Sequence, residues 1–100
     1  MKKIKKIHFT GIKGVGMTPL AIIAKEAGII VSGSDISDEF ITDSSLRKAD
    51  IEPLVGFSPE DIGSPDLLIT PGAHGGIANP QVEFAKSQNI LVWTQGQAVG

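Results

Sequence analysis

The chain has no cysteine. That absence excludes a disulfide framework, a thiolate nucleophile and a cysteine-built metal site, and it is compatible with a reducing cytoplasm. No apolar run is long enough to span a bilayer. The early lysines Lys2, Lys3, Lys5 and Lys6 resemble the start of a signal peptide only superficially. Gly14, Gly16 and Pro19 interrupt the apolar stretch that would have to follow, and Lys25-Glu26 closes it. They read as a solvated lead-in to a first strand. A basic excess is lacking too: the formal net charge of −2 disfavours a nucleic-acid partner. There is no Gly-x-x-x-x-Gly-Lys-Ser/Thr run, hence no ATP site of that type. No close acid–base pair or cluster of metal ligands stands out, so no catalytic residue and no metal site are assigned. What remains is a 100-residue chain, enough for one domain with one core.

The most informative feature present is Gly11-Ile12-Lys13-Gly14-Val15-Gly16. It follows an apolar-alternating segment, Lys6–Thr10, and opens into helical spacing at Met17, Leu20, Ala21, Ala24 and Ala27. Strand, glycine-rich turn and helix in that order make a phosphate cradle. The glycines allow a tight turn and a close approach, and the unpaired helical N–H groups and dipole attract an anion. The spacing is Gly-x-x-Gly-x-Gly, unlike the dinucleotide Gly-x-Gly-x-x-Gly.

Further along, Ile29–Gly33 reads as a buried parallel strand ending in Ser34-Asp35, and residues 44–49 as a short helix. Residues 51–55 can form a third strand, restricted by Pro53 to an edge. Ser58–Asp61 looks like a capped helical turn, and Asp66–Thr70 like a fourth strand leading into a second glycine-rich loop, Pro71–Gly76. Asn79-Pro80 has the form of an N-cap and first helical position, and residues 90–93 form a fifth strand. Trp93 and Phe84 read as core. Alternation of strands with short helices implies an α/β, Rossmann-like three-layer sandwich with a five-stranded parallel sheet in the order 3-2-1-4-5. The loops after the first and fourth strands then meet at the switch point, and these are the two glycine-rich loops. Thr94-Gln95-Gly96-Gln97 has the form of a capping box, so a helix is expected to start there. From it we expect the natural protein to continue.

Asp35, at a strand end, can accept hydrogen bonds from a ribose hydroxyl or a base N–H, or it is an ordinary turn residue. The loop from Thr70 through Pro71, Gly72 and Ala73 either contacts a base or sugar or is a plain connection. His74 is a candidate only, since catalysis through it needs a partner that the sequence does not display. His8 reads as a packed, hydrogen-bonded strand residue.

Taken together, Ile7-His8-Phe9-x-Gly11-Ile12-x-Gly14-x-Gly16-Met17 and Val31-Ser32-Gly33-Ser34-Asp35 resemble the start of the Mur ligase family, over essentially the whole chain. The resemblance implies an N-terminal domain, residues 1–100, that holds the UDP part of UDP-N-acetylmuramate in a cytoplasmic enzyme of peptidoglycan precursor synthesis. It implies a phosphate site at Gly11, Lys13, Gly14, Val15, Gly16 and Met17, with backbone N–H groups of 14–16 on the diphosphate. Ser34, Asp35, Thr70, Pro71, Gly72 and Ala73 would lie near the uridine. ATP, Mg and L-alanine would be handled by domains beyond this stretch, and this piece alone would not be catalytic. Two departures from the family pattern stand out. Lys13 stands where glycine is usual, and either adds a charge-assisted phosphate contact or narrows the site. Phe57 stands where histidine is common. Three alternatives stay open: a family member that recycles murein tripeptide, an NAD(P)-binding domain of an oxidoreductase or redox regulator, and a purely structural domain.

Overall fold

The computed structural model describes residues 3–71 and 79–99. The elements run β1 (Lys6–Thr10), α1 (Met17–Glu26), β2 (Ile30–Asp35), α2 (Asp43–Lys48), β3 (Leu54–Val55), a 3₁₀ turn (Pro59–Ile62), β4 (Leu67–Thr70), α3 (Pro80–Ser87), β5 (Leu91–Thr94) and α4 (Gln95–Val99). All strand pairs are parallel and the order is β3-β2-β1-β4-β5, as expected from the alternation. The third strand is two residues long and sits at an edge.

Three helices end alike, and the ending launches the next strand. After α1, α2 and α3 the residues Gly28, Asp50 and Asn89 take positive φ (91°, 60° and 60°). In each case the following isoleucine returns its N–H to the last turn: Ile29 to Ala24 O, Ile51 to Leu46 O, and Ile90 to Ala85 O, at 2.9–3.1 Å. This is a Schellman closure, which satisfies otherwise orphaned helical carbonyls and turns the chain back toward the sheet. At the other end, Asn79 accepts from Gln81 N and Pro80 occupies the first position of α3. The expected capping box at α4 is present and reciprocal. Thr94 N donates to Gln97 Oε1 at 2.8 Å and Gln97 N to Thr94 Oγ1 at 3.2 Å.

Strand alternation divides the core. Ile7 and Phe9 of β1 and Leu67 and Ile69 of β4 pack with Ile12, Met17, Ala21 and Ala24 from the first loop and α1, and with Leu46 of α2. Leu68 packs on the other face with Ile62, Val82 and Ala85 from the 3₁₀ turn and α3. Phe84 joins that second cluster only in part. Trp93 departs from the expected core: it is 37% exposed, because β5 is an edge strand that pairs only with β4.

Candidate functional site

The strand order brings the first glycine loop to the carboxyl ends of β1, β2 and β4, where open α/β sheets bind ligands. Gly11 turns the chain out of β1 at φ 82°, and a Cβ there would stand 3.1 Å from Pro71 Cγ. The loops after β1 and β4 therefore touch, as the order 3-2-1-4-5 requires.

An account of the loop's N–H groups locates the open ones. Gly11 and Ile12 donate to Ser34 O at 2.8 and 3.2 Å, and Gly14 to Gly11 O at 3.1 Å. Lys13 donates to Asp35 Oδ2 at 2.8 Å. Met17 and Thr18 both donate to Gly14 O at 3.0 Å. Val15 and Gly16 are left with no acceptor among the described residues. They stand at the entrance to α1, which carries no acidic side chain in its first turn and no side-chain cap. Two adjacent open amides at the positive end of a helix dipole are an arrangement that attracts anions. Gly14 lies beside them, but its N–H is turned into the loop, and Met17 is 1% exposed and packs in the core.

Lys13 is also committed elsewhere. Its Nζ donates to Asp38 O at 2.8 Å, lies 3.4 Å from Asp43 Oδ1, and sits 5.6 Å from the centre of the Phe40 ring. Its carbonyl accepts from Thr42 Oγ1 at 2.7 Å. Through these contacts Lys13 ties the segment between β2 and α2 to the glycine loop.

Asp35 is mostly buried, and each of its carboxylate oxygens holds a backbone N–H, from Lys13 and from Ile36 at 2.7 Å. Carboxylate oxygens keep further lone pairs, so it can still accept from a ligand. The Ser34 hydroxyl is engaged in a buried network: it accepts from Gln81 Nε2 at 2.9 Å and lies 3.1 Å from His8 Nε2. Thr70 ends β4 with a buried hydroxyl that has no partner among the described residues, and Pro71 is exposed against Gly11. Gly72, Ala73 and His74 lie outside the described residues.

Beneath the site runs a buried polar network. Gln81, fully buried on α3, donates through Nε2 to Ser58 O at 3.1 Å. A carbonyl can only accept, so the amide orientation is fixed and Oε1 must accept. It does so from Thr10 Oγ1 at 2.9 Å and from His8 Nε2 at 3.2 Å. His8 Nε2 therefore carries the proton, and Nδ1 accepts from Ser32 Oγ at 2.8 Å. Burial pushes the His8 imidazole down to about 4, against a smaller opposing contribution from the Gln81 hydrogen bond. His8 is thus neutral and structural, the packed residue expected from the sequence.

Two residues near the site were not anticipated from the sequence. Gln81 gave no signal beyond its place behind Asn79-Pro80. Gln95 signals in sequence only as part of the capping box, although it follows β5 at the same end of the sheet. Its side-chain amide lies against Gly16, where an added Cβ would meet Gln95 Cδ at 2.6 Å.

Comparison with known proteins gives this geometry its context. Residues 6–100 match the model of the Mur ligase family, catalytic domain. The chain belongs to the Mur ligase family. Within the family it is 38% identical over 96 residues to a UDP-N-acetylmuramate–L-alanine ligase of Aquifex aeolicus, covering 96% of this chain and 21% of that protein. The crystal structure of a UDP-N-acetylmuramate-alanine ligase from Thermotoga maritima superimposes with a TM-score of 0.81 at 32% identity, over 94% of this chain and 21% of that one. A murein peptide ligase of Psychrobacter arcticus shares the fold, with a TM-score of 0.82 at 24% identity over 95% of this chain and 20% of that one. The chain spans about a fifth of the length of the curated Mur ligases it matches.

Proposed function

We propose that this chain is the UDP-sugar-binding, N-terminal domain of a cytoplasmic UDP-N-acetylmuramate–L-alanine ligase of peptidoglycan precursor synthesis. The observation that carries the reading is the pair of open amides, Val15 and Gly16, at the entrance to α1 in a Mur ligase chain. A diphosphate is doubly anionic and matches two adjacent donors on a helix dipole. The uridine would lie toward Asp35 on one side and toward the loop beginning Thr70-Pro71 on the other. Ser34 would serve by shaping β2, since its hydroxyl is engaged below the site.

L-Alanine as the added group is favoured over murein tripeptide by six curated relatives, each named as an L-alanine ligase, at 32–41% identity. Family membership likewise does not favour the oxidoreductase reading. ATP, Mg and L-alanine belong in this proposal to the remaining length of such a ligase. Among the described residues no three His, Cys, Asp or Glu side chains are grouped to hold a metal ion. The part played by this chain is to bind and orient the nucleotide end of the substrate.

The test is an NMR titration of the labelled chain with UDP-N-acetylmuramate, UDP and NADH in parallel. The expected result is movement of the Val15, Gly16 and Asp35 amide signals with the two uridine ligands. A response to NADH alone, or to none of the three, would overturn the reading.

A further inference from the structure

We propose that Gln95 is a positioning residue for the diphosphate, supplying a neutral side-chain donor beside the open amides of Val15 and Gly16. The inference rests on the UDP-binding reading above and extends it to a residue on a different element. Gln95 belongs to α4, beyond β5, yet its amide group lies against the backbone of Gly16. A Cβ on Gly16 would collide with Gln95 Nε2 and stand 2.6 Å from Cδ and 2.8 Å from Oε1. The missing side chain of Gly16 leaves room for this amide.

Three observations turn the contact into a role. The Gln95 side chain has no hydrogen-bond partner among the described residues, so its Nε2 donor is uncommitted. Its backbone is held at the start of α4 by the reciprocal Thr94–Gln97 capping box, which does not use the Gln95 side chain. The other side-chain donors of the glycine loop are taken: Lys13 Nζ by Asp38 and Asp43, and Thr18 Oγ1 by Ile12 O at 2.8 Å. Gln95 therefore brings a free side-chain donor, uncommitted among the described residues, against Gly16, one of the two open amides. An amide N–H can complete the shell of a phosphate oxygen without adding a charge, and a terminal amide on a flexible stem can shift to follow it.

The experiment measures the affinity of UDP and of uridine for the 100-residue chain, wild type and with Gln95→Ala or Gln95→Glu. Removing one hydrogen bond to an anion is expected to weaken UDP about 10–150-fold. Gln95→Glu, which sets a carboxylate against the diphosphate, should weaken it more, and uridine should bind all three chains equally. Unchanged Thr94 and Gln97 amide signals establish that the capping box survives. UDP affinity equal in all three chains would overturn the proposal, as would equal losses for UDP and uridine, which mark a structural role. If the wild type binds neither ligand, the UDP-binding reading fails and this proposal falls with it. Tight UDP binding by the wild type with no effect of either variant removes Gln95 alone.

Discussion

Asp35 receives the backbone N–H of Lys13 on Oδ2 at 2.8 Å, and the same carboxylate takes the N–H of Ile36 on Oδ1 at 2.7 Å. The end of β2 is thereby fastened to the glycine loop after β1. Gly11 and Ile12 reinforce the junction through Ser34 O. The residue proposed to face the uridine is therefore also the clasp that gives the glycine loop its shape.

Asp35→Ala should consequently lose stability as well as affinity. The Lys13 N–H is buried, and leaving such a donor unsatisfied costs roughly 1–3 kcal/mol. Asp35→Asn, which keeps one acceptor oxygen, should lose less. Urea unfolding of the three chains reads this directly. A wild-type midpoint for Asp35→Ala would show that the clasp does not hold the loop, and would leave Asp35 with a ligand role only.

Lys13→Met tests what the lysine is for. It keeps an unbranched apolar stem but removes the contacts to Asp38, Asp43 and the Phe40 ring. The segment between β2 and α2 should then exchange its amide hydrogens faster, with the change centred on residues 38–43. UDP affinity should fall by less than about threefold, because the ammonium is already committed to Asp38 and Asp43. A loss much larger than that, with unchanged exchange, would return Lys13 to the phosphate.

The sequence made the sheet legible because its signals are local and independent. Apolar alternation marks β1, Pro53 confines β3 to an edge, Asn79-Pro80 starts α3, and Thr94 with Gln97 caps α4. With these elements in order, the rules of parallel connection bring the loops after β1 and β4 together, and Gly11 and Pro71 do touch. What was not legible depends on contacts between distant segments. Nothing in Gly-Val-Gly tells which N–H groups turn inward, so Gly14 could not be told from Val15. Nothing around Lys13 in the sequence tells that the segment 38–43 folds over it and engages its ammonium. Trp93 carries the composition of a core residue, but its exposure follows from the edge position of β5. Gln81 and Gln95 are ordinary polar residues in sequence, and only packing across 47 residues, from Ser34 to Gln81, or across the sheet, from Gly16 to Gln95, gives them roles.

Gly33 offers a test of the packing under the loop. A Cβ at this position would collide with Ile12 Cδ1 and stand 2.7 Å from Ile12 Cβ, and Ile12 is fully buried. The branch point of a β-branched side chain cannot retreat without moving its own backbone. Gly33→Ala should therefore destabilise by about 1–3 kcal/mol, the range for overpacking a filled core. Shortening Ile12 to Val should recover only part of it, because Cβ remains in the way. Thermal melts of the single and double variants decide the matter, and a Gly33→Ala chain that melts with the wild type would refute the close approach.

His8 gives the fold a pH dependence whose sign follows from its burial. Its imidazole titrates at about 4 in the folded chain against 6.5 when unfolded, chiefly because desolvation disfavours the cation. Asp61 acts in the opposite direction, and Lys6 in the same one. Between those two values the unfolded chain binds a proton that the folded chain refuses. Stability is therefore fully present above about pH 6.5, falls as the pH drops toward 4, and loses nothing further from this group below that. The loss accumulated by pH 4 is about 3 kcal/mol, from 1.36 kcal/mol per pKa unit. Protonation at Nδ1 would also turn the acceptor that holds Ser32 Oγ into a donor, so the network has to rearrange as well as bury a charge. Carboxylates titrate in the same window, so the measurement is a difference: urea unfolding of wild type and His8→Gln at pH 7, 6, 5 and 4. The variant is expected to be less stable at pH 7 yet to lose less stability on acidification, so that the two curves converge. Parallel curves would mean that His8 accepts its proton in the folded chain at its ordinary value, and that the neutral tautomer fixed by Gln81 is not the state the protein holds.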